Sequence, residues 1–238
     1  MQELMTVALT AMQRDGARVE RVANNIANQL TPGYKREFLV ERSGESSFSK
    51  MLAPAAAAGQ VSVLTDTKSG SLRKTGQSLD LAIAGPGFLE VSTPQGPAYT
   101  RRGQMRLDER GTLVTASGLP VMGQSGELTL TSSQVSIAAD GTVKNGDQIV
   151  GQLQLYEADA QTRLSSIGDG LYAAEGSMSI KTAAEVHLKQ GYLENSNVDS
   201  AHEMVELMGA VRHFEAMHHA AQGYDDMMAT ALRKLGDL

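Results

Sequence analysis

The sequence predicts an α+β chain, with long N- and C-terminal helices paired as a coiled-coil-like domain and flanking a central, mainly antiparallel all-β domain. Three observations carry that prediction. Apolar residues recur at both ends at alternating intervals of three and four, the spacing of one helix face. Between the ends the period falls to two, and short runs rich in Val, Leu and Thr are separated by glycine-bearing turns. No amphipathic helix interrupts those runs, so a parallel sheet with crossover helices is not expected.

At the N-terminus Met5, Met12, Val19 and Ile26 recur every seven residues. Ala8 and Val22 fill intermediate slots, and Asp15 sits where a third apolar filler is expected. The stripe runs to about Asn28, where Thr31-Pro32-Gly33 is a stop signal and Asn28 suits the left-handed position that ends a helix. Residues 1–35 are therefore read as the first helix of the helical domain. Residues 36–70 read as an extended connector, because Ser43-Gly44-Glu45-Ser46-Ser47 and the alanines after Pro54 carry no period; a short helix around Phe48–Leu52 fits within it.

Residues 71–181 read as the β domain. Leu79-Asp80-Leu81-Ala82-Ile83 alternates, Gly85-Pro86-Gly87 turns the chain, and Phe88-Leu89-Glu90-Val91 continues it. Pro94-Gln95-Gly96-Pro97, Glu109-Arg110-Gly111, Ser117-Gly118, Asp140-Gly141 and Asn145-Gly146 then punctuate further apolar runs, the signature of successive hairpins.

Residues 182–238 read as a connector and a final helix that completes the helical domain. Ser200 with Glu203 fits a capping box, and Asp199 is an alternative cap one residue earlier. From there Met204, Leu207, Val211, Phe214, His218, Ala221, Asp225, Met228, Leu232 and Leu235 follow the alternating spacing, and only His218 and Asp225 break it. Met208, Met217, Ala220 and Met227 widen the stripe beyond a two-stranded seam. Ordering so long a helix costs more conformational entropy than one buried stripe returns. The helices are expected to complete their buried surface on neighbouring subunits; an ordinary intramolecular helical pair is the alternative.

Composition narrows the function classes. The 238 residues carry a formal charge of −6, with acids and bases interspersed, so no clustered basic face for nucleic acid is expected. Cysteine is absent, which removes disulfides, thiolate metal sites and a cysteine nucleophile together. Polar residues interrupt the N-terminus before a signal-like apolar core forms, and no run is long enough to span a membrane. Four of the five histidines, His202, His213, His218 and His219, lie on the last helix, without the spacing of helix-borne metal ligands. Gly85-Pro86-Gly87-Phe88 leads into a strand rather than a phosphate-binding helix, and the Asp140 to Gly146 stretch lacks the alternating oxygen ligands of a calcium loop. The sequence offers no catalytic, metal or cofactor site.

Three blocks point further. Ala23-Asn24-Asn25-Ile26-Ala27-Asn28 with Thr31-Pro32-Gly33-Tyr34-Lys35 resembles the N-terminal signature of the bacterial flagellar rod and hook proteins. Thr75 to Ile83, with Gly85, Gly87-Phe88, Tyr99-Thr100-Arg101, Gly103, Asp108, Gly111 to Thr115 and Gly118, resembles the family's central β domain. Gly191 to Asp199, with Glu203, Met208, Arg212 and Phe214-Glu215, resembles its C-terminal signature. The stretches Ala138 to Val143, Ile149 to Leu155 and Arg212 to Glu215 are most similar to the proximal rod type, whereas Leu89 and Gln29-Leu30 depart from the usual pattern.

The resemblance implies a structural subunit of the basal-body rod, built into the axial drive shaft that transmits torque and surrounds the export channel. Its partners would be copies of itself, other rod proteins and the flagellar type III export apparatus, with no cleaved signal peptide, no nucleic acid and no membrane insertion. The implied location is the periplasm-spanning rod of the basal body. A distal rod or hook subunit is the alternative within the family; a secreted β-domain adhesin with an intramolecular helical pair is the alternative outside it. Candidate assembly residues on the first helix are Met5, Met12, Val19, Asn24, Asn25, Ile26 and Asn28. On the last helix they are Met204, Leu207, Val211, Phe214, Met228 and Leu232. Asn24, Asn25 and Asn28 are expected to bridge backbone groups where helices meet, since an amide both donates and accepts.

Overall fold

Helical spacing at the two ends produces two helices, Gln2–Ala27 and Ser200–Gly236, of 26 and 37 residues. Neither contains proline. The computed structural model describes residues 2–41, 61–131, 135–159, 161–182 and 184–236; residues 43–60 of the expected connector, with the Phe48–Leu52 helix, lie outside them. The described residues divide into two compact units, one holding both helices, the strand that follows the first and the start of its partner strand. The other comprises Asn28–Arg36 and Leu64–Val198.

The ends of the helices differ in part from expectation. Asn28 does not take a left-handed conformation: the one non-glycine residue with positive φ among the described residues is Asp169. Asn28 instead opens a turn, its carbonyl accepting from Thr31 N at 3.0 Å and its side chain from the Thr31 hydroxyl at 3.2 Å. At the last helix Asp199 is the cap, with Oδ1 accepting from Ala201 N at 3.0 Å and His202 N at 3.3 Å. The buried Glu203 carboxylate meets Asn25, with Oε2 accepting from Asn25 Nδ2 at 3.0 Å.

β1 (Glu37–Glu41) pairs with β2 (Val61–Thr65), whose first residues belong to the helical unit. The other unit is built from antiparallel ladders. Its largest sheet orders β15 (Arg163–Gly168), β16 (Leu171–Glu175), β6 (Gly96–Thr100), β5 (Phe88–Thr93), β14 (Leu155–Ala158) and β17 (Met178–Ile180). β11 (Val135–Ile137), β12 (Thr142–Asn145) and β13 (Gln148–Gln152) form a meander around the Asp140-Gly141 and Gly146 turns. Four short pairs complete the unit. They are β3 (Leu72–Lys74) with β19 (Tyr192–Glu194), β4 (Leu81–Ile83) with β18 (Leu188–Gln190), β7 (Met105–Leu107) with β8 (Leu113–Thr115), and β9 (Met122–Gly123) with β10 (Gly126–Glu127).

The inward positions of these strands make the core. Leu81, Ile83, Leu89, Val91, Leu113, Val121, Val143, Leu153 and Leu155 are all buried in one aliphatic cluster, as the scarcity of aromatics requires. A smaller cluster gathers Phe88, Tyr99, Leu164 and Tyr172, with Phe88 and Tyr172 edge to face at 5.8 Å. β3 and β19, and β4 and β18, pair segments from opposite ends of the unit, so its first and last strands close on each other.

Candidate assembly interface

Within the helical unit the two helices pack on each other through a seam that mixes small, apolar and polar side chains. On the C-terminal helix burial falls on Glu203 and Ala210, and partial burial on Leu207, Met217, Ala221, Tyr224 and Met228. On the N-terminal helix Asp15, Val22 and Asn25 are buried, with Ala8, Met12, Val19 and Ile26 half-buried. Polar links tie the pair among the described residues. Asn25 Nδ2 donates to Glu203 Oε2 at 3.0 Å, Arg18 Nε to Glu206 Oε2 at 3.0 Å, and His213 Nδ1 lies 2.5 Å from Asp15 Oδ2. Partners fall in number on one helix as they rise on the other, so the helices run antiparallel.

This seam differs from the stripe expected at Met204, Val211, His218 and Asp225. The inward positions are one residue earlier, at Glu203, Ala210, Met217 and Tyr224, while Leu207, Ala221 and Met228 are shared. The polar links explain the displacement. A buried Glu203 or Asp15 is tolerated because each meets a partner, and Ala210 offers little bulk where it is buried. Asp15 is therefore a member of the seam, whereas His218 and Asp225 are exposed and outside it.

Apolar side chains are left on the outside. Met204 is 54% exposed, Val205 64%, Met208 52%, Val211 39%, Phe214 38% and Met227 65%. Met204, Met208 and Val211 follow helical spacing along one flank, so they form a face rather than scattered points. Met5, Val7 and Leu9 add exposed apolar surface on the first helix. Leu232 lies on the C-terminal helix, and its side chain is outside the described residues.

The asparagines separate. Asn25 is buried and works in both directions: Nδ2 donates to the Glu37 carbonyl at 2.8 Å and Oδ1 accepts from Glu37 N at 3.0 Å. It fastens the first residue of β1 to the helix, and Arg21 Nη1 holds the Glu37 carboxylate at 2.7 Å. Asn24 is exposed and Asn28 half-buried in its turn. Tyr34 and Lys35, a few residues on, are buried in the β unit.

There the structure brings together charges that spacing could not pair. Lys35 Nζ lies 2.7 Å from Glu194 Oε1, and Arg101 Nη1 lies 3.2 Å from Glu194 Oε2; all three side chains are fully buried. Burial, then the neighbouring Arg101, pushes the Lys35 amine below its ordinary range, and Glu194 opposes the shift. Burial lowers Arg101 as well, again against the Glu194 carboxylate. The one legible signal was that Lys35, Arg101 and Glu194 each lie inside a different family-like block. Among the described residues no group of three or more His, Cys, Asp or Glu is placed to hold a metal ion.

Comparison with known proteins follows the same division. Residues 5–35 match the family described as flagella basal body rod protein, residues 82–145 the flagellar hook protein FlgE/F/G D1 domain, and residues 189–234 the flagellar basal body rod FlgEFG protein C-terminal. The chain is 30% identical to the flagellar basal-body rod protein FlgF of Caulobacter vibrioides, over 100% of both chains. The chain belongs to the flagellar basal-body rod protein family. This rod-family chain is also 30% identical to FlgF of Rhizobium meliloti over 99% of each, and 32% identical to the basal-body rod protein FlgG of Buchnera aphidicola over 98% of each. The matched segments cover most of both helices of the rod-family fold and, in its β unit, residues 28–35, 82–145 and 189–198.

Proposed function

We propose that this chain is a structural subunit of the bacterial flagellar basal-body rod, in its proximal part, and that it polymerises through its helical pair into the axial drive shaft around the export channel. It acts by packing and not by chemistry. Its neighbours are copies of itself and other rod proteins, and it reaches the rod through the flagellar type III export apparatus. Full-length similarity to basal-body rod proteins supports the location. No helix among the described residues is long and apolar enough to cross a membrane.

The observation that carries the reading is the apolar flank of Met204, Met208 and Val211. Their exposure means that the first helix takes one edge of the C-terminal stripe and leaves the other for a further helix. A third helix seated there completes a coiled-coil-like arrangement and supplies the burial that the pair lacks. The absence of cysteine makes the test direct, since an introduced thiol is unique in this chain. Val211→Cys, carried on isolated basal bodies and treated with a bifunctional thiol–amine reagent, is expected to cross-link to a neighbouring rod subunit. A chain that stays monomeric with both helices fully protected in hydrogen exchange overturns the reading and favours an intramolecular pair. Labelled chain found along the distal rod or hook, rather than near the proximal rod, selects the other position within the family.

A further inference from the structure

We propose that Lys35, Arg101 and Glu194 form a buried joint that fastens both helix-bearing segments of the chain to the β unit, so that force passes between the helices and the β unit through this cluster. Residues 33–36 follow the first helix and residues 194–197 precede the last one. Both segments belong to the β unit, where they meet residues 66–70 and Arg101. Gly33 N donates to the Glu194 carbonyl at 2.7 Å, and Arg36 N to Asn197 Oδ1 at 2.7 Å. Asn197 Nδ2 in turn reaches the carbonyls of Asp66 and Lys68, at 3.0 and 3.1 Å.

Charge locks this meeting point. The Glu194 carboxylate receives Lys35 Nζ and Gly70 N on the same oxygen, each at 2.7 Å. Its other oxygen faces Arg101 Nη1 at 3.2 Å, an ionic contact without hydrogen-bond geometry. Lys35 Nζ also donates to the Lys68 carbonyl, and Arg101 Nη2 to Ser69 Oγ and the Gly85 carbonyl, at 3.1 and 2.6 Å. The Arg101 guanidinium lies 5.5 Å from the centre of the Phe88 ring. Space is equally tight: a Cβ on Gly33 would stand 2.5 Å from the Arg101 carbonyl oxygen, and one on Gly70 2.0 Å from that of Asn195.

A cluster of this kind is a poor device for stability alone, since apolar residues of similar volume would serve as well or better. It is a good device for cooperativity. Lifting either segment strands a charge in a dry interior, so neither segment detaches by itself. The two helix roots are thereby held or released together, on the same β unit.

The test uses the full chain with Lys35→Cys, the only thiol present. Alkylating the unfolded variant with bromoethylamine and refolding it restores a cation of nearly the length of lysine. In hydrogen exchange, Lys35→Cys is expected to speed the amides of residues 33–36, 66–70 and 194–197 together by roughly 100-fold or more, while those of Leu89, Leu113 and Leu155 keep their protection. Aminoethylation is expected to restore all three segments. Unchanged exchange, release of one segment without the others, or a uniform loss that reaches Leu89 and Leu113 overturns the joint. The transmission of force rests on the rod reading, whereas the exchange experiment does not. Cells carrying Lys35→Met are expected to assemble rods but to lose motility as medium viscosity rises; motility equal to the parent at every viscosity refutes the mechanical role and leaves rod membership untouched.

Discussion

Asn25 illustrates how much one buried amide holds in place. Its side-chain hydrogen bonds join a helix, the backbone of β1 and a carboxylate on the opposite helix. Asn25→Ala leaves both Glu37 backbone groups and Glu203 short of a partner and is expected to destabilise the helical unit by about 2–3 kcal/mol, read by thermal unfolding. Rod assembly that survives Asn24→Ala combined with Asn25→Ala removes the assembly role expected of these residues. Tyr156 is a second case. Burial, then the nearby Glu90, pushes its phenol up to about 12. The folded state therefore holds that proton more tightly than the unfolded chain, so its contribution is whole below pH 10.0 and is lost as pH rises towards about 12. Phenolate absorbance is expected to show a late-titrating tyrosine that disappears in Tyr156→Phe, and a β unit that weakens across that window.

At the scale of the element, the C-terminal helix carries more apolar surface than one partner covers. Met204→Lys with Val211→Lys keeps helix propensity and touches no intramolecular seam residue. The monomer is expected to retain its helix content by circular dichroism, while incorporation into rods is lost. Gly209 and Gly223 sharpen the point, since a Cβ at either would meet nothing within 4 Å. Gly209→Ala and Gly223→Ala are expected to stabilise the monomer by roughly 0.5–1 kcal/mol each. Reduced assembly in those stabilised variants would show that a neighbouring helix approaches the backbone there. Helical spacing made the existence of this stripe legible, but not its phase. A stripe wider than one seam leaves several rotations open, and the polar contacts of Glu203, Glu206 and His213 chose among them.

For the whole molecule, the two units differ in kind: one is a closed antiparallel β structure with an aliphatic core, the other a helical pair with polar links inside and apolar residues outside. Hydrogen exchange on the monomer is therefore expected to show strong protection at Leu89, Leu113 and Leu155 and weak protection along residues 204–230, with the gap closing on assembly. Equal protection in the two units would speak for a self-sufficient pair. What followed from sequence alone was whatever depends on neighbours along the chain. The period of three and four made helices, the period of two with Gly at positive φ made hairpins, and the absence of Cys excluded whole chemistries. Even the Asn25 amide was legible as a group that would both donate and accept. Only the tertiary structure decided its partners, Glu37 and Glu203, and the grouping of Lys35 with Arg101 and Glu194. The physical reason is separation. Asn25 and Glu203 stand 178 positions apart and Lys35 and Glu194 stand 159 apart, so no local pattern encodes their meeting. Which charges share a dry interior depends on how the strands and helices between them pack.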